Sequence, residues 1–297
     1  MKILLTGATG LVGSALFKLW QSSHQLVVLS RAPKKARQLF GDGCEIYDNL
    51  DDIDFNQLDA VVNLAGEPIA DKRWTDARKA VICQSRWQLT ELIASKILTA
   101  TKPPHTLINA SAVGFYGRQS ADRIDETFAT FYPEFSHDVC ARWENLANRS
   151  RSEHTRVCLM RIGIVLAENG GALSKMLPAF KLGLGGKIGS GSQMMSWIHI
   201  DDLVAAINFV LQNKACEGVY NATAPMAVSN NQWTQLLGDR LAKRTPLPVP
   251  AFMLKLIFGE MSDLLLFGQN VYPQKLLDAG FQFKYNQLRN ALAAMPL

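Results

Sequence analysis

The segment Thr6-Gly7-Ala8-Thr9-Gly10-Leu11-Val12-Gly13 restricts what this chain can fold into more than any other. It follows an apolar run, Ile3–Thr6, and opens a segment of helical period, Leu11–Gln21. Gly7 permits a tight turn, and Gly10 lets backbone N–H groups approach a pyrophosphate. Gly13 lets the helix pack closely on a sheet, so that the helix N-terminus faces the anion. Such a turn belongs to the first βαβ unit of an α/β chain.

The remainder has the pattern that this turn requires. Short, nearly continuous apolar runs at Leu26–Ser30, Ala60–Leu64, Leu107–Ala110 and Val157–Arg161 read as strands covered on both faces, with a weaker one at Glu45–Tyr47. Between them lie helical segments at Lys34–Phe40, Asp76–Thr99, His137–Arg149, Leu173–Leu182 and Asp201–Gln212. The expected fold is α/β, a Rossmann-type doubly wound parallel sheet with a small, mainly helical C-terminal lobe. We expect residues 1–215 to form the dinucleotide-binding domain, with 167–191 contributing to the substrate side. Residues 216–297 then form the lobe, with a strand at Gly218–Ala222 and a Pro-rich linker at 246–250. Gly183, Gly185, Gly186, Gly189 and Gly191 crowd one segment too densely for a helix, and are compatible with a closing flap or a ligand-free hairpin.

Charge and composition exclude several functions. Lys+Arg 31 against Asp+Glu 26 gives a net charge of +5, too small and too dispersed for a nucleic-acid footprint. Its densest cluster, Arg31, Lys34, Lys35 and Arg37, suits one small anion. The five cysteines are scattered without a C-x-x-C pair, so neither a disulfide framework nor a metal site is expected, and a cytoplasmic setting fits. No apolar run approaches the ~20 residues that span a bilayer, so no membrane partner is expected.

The T-G-x-x-G-x-x-G spacing resembles the extended branch of the short-chain dehydrogenase/reductase superfamily, and Asn63-Leu64-Ala65-Gly66 resembles its N-x-A-G element. The cofactor is expected to be NADP(H). Where an acid would accept from the ribose 2′-hydroxyl of NAD, the second strand ends Ser30-Arg31, and a guanidinium pairs instead with a 2′-phosphate.

The catalytic positions depart from the superfamily. Ser111, in Asn109-Ala110-Ser111-Ala112-Val113-Gly114-Phe115-Tyr116-Gly117, stands where a serine is expected. Four residues beyond each of the six tyrosines, however, come Asp51, Ser120, Ser136, Ala224, Leu276 and Arg289, so no Y-x-x-x-K exists. Ser136 and Cys140 fall at the tyrosine and lysine positions. Proton transfer would then fall to Ser111, Tyr116 or Cys140, or else to His137, Asp138 or His199. Trp143 reads as core packing and Glu144 as a surface charge of its helix.

Longer segments, including Asn63–Ile69, Trp74, Ser85-Arg86, Gly170–Pro178, Leu182–Gly191, Trp197–Asp202 and Phe267–Pro273, resemble the atypical members called epimerase family proteins, some of them also labelled cell-division-inhibitor relatives. That resemblance implies an NADP(H)-binding domain followed by a C-terminal domain of unknown function. Its cofactor shell would comprise Thr9, Gly10, Leu11, Val12, Ser30, Arg31, Leu64, Ala65, Arg86 and Val165, beside Gly7, Gly13 and Gly66. The function expected is that of an NADP(H)-binding oxidoreductase or epimerase-like protein acting on a small nucleotide-linked or carbonyl substrate without the Tyr/Lys dyad. The alternative is a non-catalytic NADP(H)-binding sensor or interaction protein. Long helices in this superfamily often pair into homodimers.

Overall fold

A computed structural model describes every residue of the chain except Asn169. Seven strands build one sheet: β1 (Lys2–Thr6), β2 (Gln25–Leu29), β3 (Glu45–Tyr47), β4 (Ala60–Asn63), β5 (Thr106–Ala112), β7 (Arg156–Ile162) and β11 (Gly218–Ala222). Their order is β11-β7-β5-β4-β1-β2-β3, and every neighbouring pair is parallel. Three two-stranded ladders flank it: β6 (Arg123–Ile124) with β13 (Asn270–Val271), β8 (Ile164–Ala167) with β10 (Trp197–His199), and β9 (Met194–Met195) with β12 (Val228–Ser229).

Successive side chains of a strand point to opposite faces, and each face here has its own helical layer. Ile3 and Leu5 pack with Leu16, Phe17 and Trp20 of α1 (Leu11–Trp20) and with Leu203 and Ile207 of α6 (Ile200–Gln212). Leu4 faces the other way, towards Ile93 and Ile97 of α3 (Asp76–Thr99) and Ala147 of α4 (Phe135–Asn148). Covering both faces explains why these strands are predominantly apolar, the polar residues of β1, β2 and β4 standing at their ends. The layers are completed by α2 (Pro33–Phe40) and α5 (Gly171–Lys181). Thus the expected strands and helices form, with ends that coincide or are displaced by at most two residues.

The strand order reverses between β1 and β4, and in open sheets of this kind ligands sit beyond the carboxyl ends of the strands at that point. β11 is the edge strand of the main sheet, so a boundary after residue 215 would separate it from its partner β7; the helical lobe starts beyond it. That lobe contains α7 (Asn230–Arg240), α8 (Ala251–Phe258), α9 (Asp263–Leu266), α10 (Gln274–Asp278) and α11 (Leu288–Ala294). The Pro-rich stretch is no free tether. The Val249 N–H donates to the Lys187 carbonyl (2.8 Å) and the Val249 carbonyl accepts from the Gly189 N–H (2.9 Å), strapping 246–250 to the glycine-dense segment.

Candidate functional site

The turn after β1 is constructed as its glycines demand. Gly7 has φ +68, and a Cβ there would lie 2.7 Å from the Leu64 carbonyl carbon, so the β1 and β4 turns touch through bare backbone. The Gly10 N–H closes the turn on the Gly7 carbonyl (3.0 Å). α1 then starts at Leu11 with no side chain capping it, leaving the first-turn N–H groups of Leu11 and Val12 for an outside acceptor. A Cβ at Gly13 would collide with the Gly7 carbonyl oxygen. Gly13→Ala is therefore expected to destabilise the chain by about 1–3 kcal/mol through overpacking, measured as a drop in the denaturant midpoint. A variant as stable as the parent would contradict this packing.

Thr6, Asn63 and Asn109 join three strand ends. Thr6 Oγ1 donates to Asn63 Oδ1 (2.6 Å), while Asn63 Nδ2 donates to Asn109 Oδ1 (2.6 Å) and Thr90 Oγ1 (2.9 Å). Trp143 Nε1 donates to the same threonine oxygen (2.8 Å). This buried lattice fixes Leu64, Ala65 and Gly66 beside the turn, and it ties together the two motifs that hold Thr6 and Asn63.

Ser30 and Arg31 sit at the carboxyl end of β2, next to the switch point. The Arg31 side chain is 84% exposed, with Nη2 3.9 Å from Glu67 Oε2, and Lys34 and Lys35 are exposed beside it. Arg86 is mostly sequestered: Nη1 donates to the carbonyls of Glu67 (3.0 Å) and Ile82 (3.1 Å), and the guanidinium lies 5.2 Å from the Trp143 ring centre. It packs on Gly66, where a Cβ would come within 2.9 Å of its Cζ, and burial lowers its pKa. Val165, on β8, faces the same turn from the opposite side. A Cβ at Gly171 would lie 2.7 Å from the Val165 carbonyl oxygen and 3.5 Å from Leu11 Cδ2. Thr9 and Leu11 to Val12 complete this mouth, half-buried or exposed.

At the end of β5 the structure brings together a group that the sequence did not reveal. Ser111 Oγ donates to Glu144 Oε1 (2.6 Å), and Arg161 grips the same carboxylate with two parallel bonds, Nε to Oε1 and Nη2 to Oε2, both 2.8 Å. All three residues are buried. Glu144 is thus not a surface charge: α4 lies on β5 and β7, and Arg161 is the register partner of Ser111 across those strands. The available signal was Arg161 itself, a lone cation in the apolar run Val157–Ile162 that could be buried only against an acid. Its guanidinium also stacks 3.4 Å from the Phe115 ring centre.

The other candidates are otherwise engaged. Tyr116 is fully buried, its hydroxyl donating to Asn221 Oδ1 (2.9 Å) and lying 3.2 Å from the Asp125 carbonyl, and burial raises its pKa. Cys140 is buried beside Ser111 and Ala112, its thiol pushed up to about 11 by burial. It should resist iodoacetamide in the folded protein at pH 8 while reacting on unfolding, since the thiolate is the nucleophile; rapid alkylation of native Cys140, read by mass spectrometry, would contradict the burial. Ser136 Oγ donates to Glu134 Oε1 (2.7 Å), and His137 Nδ1 bonds the Phe115 carbonyl (2.5 Å). His199 Nδ1 accepts from the Asp201 N–H (3.1 Å) to cap α6, and Asp138 is exposed. Among the described residues no cluster of His, Cys, Asp and Glu could hold a metal ion.

Strand order and the glycine turn define a Rossmann-type domain. The family model of the NAD dependent epimerase/dehydratase family matches residues 3–223, and one for a domain of unknown function, DUF1731, matches 249–295. The chain belongs to the NAD dependent epimerase/dehydratase family. A structure of the human epimerase family protein SDR39U1 (isoform 2), determined with NADPH, is similar at TM-score 0.91 and 34% identity over 99% of both chains. The chloroplastic SDR39U1 homolog of Arabidopsis thaliana is 39% identical over 99% of this chain and 86% of its own length. The epimerase family protein SERP0438 of Staphylococcus epidermidis is 35% identical over 98% and 97%. No described helix is long and apolar enough to cross a membrane.

Proposed function

We propose that this protein binds NADP(H) and carries out an oxidoreductase or epimerase-like reaction on a small hydroxyl- or carbonyl-bearing substrate. The observation that carries the reading is the uncapped N-terminus of α1 closing on a glycine turn, with the exposed Arg31 at the end of the adjacent strand. The NADPH in the human relative supports it. The pyrophosphate would lie against Gly10, Leu11 and Val12, with Thr9 at the rim and Gly7 and Gly13 letting the backbone approach. Ser30 and Arg31 would hold the 2′-phosphate, Leu64, Ala65, Gly66 and Arg86 the adenosine side, and Val165 the nicotinamide end. Residues 167–191 and the helical lobe would close the substrate side.

Bound nicotinamide would supply a hydride donor or acceptor. The substrate's oxygen is then left to the chain's own residues, and Ser111 is the reading's polar contact. Because its proton is shared with Glu144, Ser111 accepts from a substrate hydroxyl; the proton released as that alcohol is oxidised would pass to Ser111 Oγ while the Ser111 proton moves to the Glu144 carboxylate, and ketone reduction would run the same relay backwards. Arg161 holds the Glu144 carboxylate in position with two parallel bonds. Tyr116 and Cys140 take no proton-transfer part in this scheme, because both are buried and the Tyr116 hydroxyl is already committed to Asn221 Oδ1.

The reading is tested by titrating the protein into NADPH and following cofactor fluorescence, then repeating with Ser111→Ala. Saturable binding by both proteins is expected, with turnover of any accepted alcohol or ketone lost only in the variant. Absence of NADPH binding by the parent would overturn the reading. Binding without turnover of any such compound would favour the cofactor-sensing alternative, to which the missing Tyr/Lys pair already lends support.

A further inference from the structure

α8 shows the solvent a face that a monomeric soluble protein normally hides. The helix is delimited by Pro250 and by Gly259, at φ +59, and only Leu254 turns fully inward. Phe252 is 70% exposed, Leu256 77% and Ile257 56%. The strap described above extends this face, because it brings the glycine-dense segment against 247–251. Leu184 and Leu247, both exposed, adjoin the contact in which a Cβ at Gly186 would strike the Leu247 carbonyl oxygen.

The charges around this face are predominantly basic, the exposed Asp239 beside Lys243 and Arg244 being the exception. Neither residues 171–200 nor residues 240–259 contain a single Asp or Glu. Of the cations in the two stretches, Lys175 pairs with Asp71 and Arg240 bonds backbone carbonyls, while Lys181, Lys187, Lys243, Arg244 and Lys255 are exposed and, among the described residues, in no ion pair. The nearest carboxylates that follow α8 do not neutralise them, since Glu260 is held by Lys79 and Asp263 by Arg118.

We propose that this face docks the protein peripherally on an anionic lipid surface. Leu, Phe and Ile side chains enter the boundary between headgroups and acyl chains, while lysines extend their apolar stems and keep their ammonium groups at the phosphates. Each such cation adds attraction to an anionic leaflet. A second copy is a poorer occupant, because a two-fold contact would set each basic rim against its own like charges. An eight-residue helix is ~12 Å long and lies on a bilayer without crossing it, so the expectation drawn from the missing spanning segment does not bear on this contact.

The test is co-sedimentation of the full chain with vesicles of phosphatidylcholine alone or mixed with phosphatidylglycerol, using the parent, the double variant Phe252→Ser/Leu256→Ser, and Lys255→Glu. All three sites are exposed, so the variants should melt with the parent. The parent is expected to sediment with mixed vesicles at least about tenfold more strongly than with phosphatidylcholine alone, and both variants to lose about tenfold or more of that binding. No association of the parent with mixed vesicles would overturn the proposal, as would equal association of parent and double variant. So would a dimer, seen by light scattering, that the double variant dissociates, because the face would then belong to a second copy.

Discussion

Glu144→Gln is expected to cost the fold about 3–5 kcal/mol, a large fraction of a typical domain's stability. Glu144 and Arg161 are each only 6% exposed, and both oxygens of the carboxylate are used by Arg161 and Ser111. An amide of the same shape can offer only one acceptor oxygen, and it turns an NH2 group towards the guanidinium. The Arg161 charge is then buried without an opposing charge, which is the expensive half of breaking such a pair. The effect should appear as a fall in the midpoint of urea unfolding with the slope unchanged. Pairing the change with Arg161→Met removes the orphaned charge and should recover a substantial part of the loss. A Glu144→Gln protein within about 0.5 kcal/mol of the parent, the range of ordinary surface changes, would contradict the buried network.

The second large effect concerns ligand choice. Arg31→Asp should weaken NADPH binding about 10- to 100-fold, the value of one lost charge-assisted contact plus a like-charge penalty. NADH, which lacks the 2′-phosphate, should change by about twofold or less, because an acid at this position can accept from the free 2′-hydroxyl. Arg31 is suited to such selectivity: it is highly exposed and at 3.9 Å makes only a loose contact with Glu67, so little native structure is lost with it. Calorimetric titration of both nucleotides into both proteins measures the effect, and equal loss of both would contradict the assignment of Arg31 to the phosphate.

Much of the fold could be read along the chain because its cause is local. The glycine turn and the both-faces-covered strands follow from backbone sterics and short-range pattern, and Glu45–Tyr47 and Gly218–Ala222 have the ends expected of them. The ladders β6 with β13 and β9 with β12 carry two residues per strand, too few for any periodicity, and depend on pairings between distant segments. The place of β11 in the central sheet depends in the same way on its pairing with the distant β7. In the site, the cofactor turn was legible as a motif, whereas the Ser111–Glu144–Arg161 group was not. Helical spacing places Glu144 one residue from the core residue Trp143, and only the approach of β7 turns it inward. Arg86, expected in the cofactor shell, is folded over Gly66 and Trp143, contacts between distant segments that no local pattern gives.

The proposed pose, in which the β1–α1 turn and Arg31 hold NADP(H) with its reactive ring directed to Ser111, is checked by a crystal structure of this protein grown with NADPH. The pyrophosphate is expected on the N–H groups of Leu11 and Val12 and the 2′-phosphate paired with Ser30 and Arg31. Ser111 Oγ, still bonded to Glu144, is expected to be the polar side chain nearest the nicotinamide face. A 2′-phosphate in solvent away from Arg31, or a nicotinamide whose face meets a different titratable group, would contradict the pose.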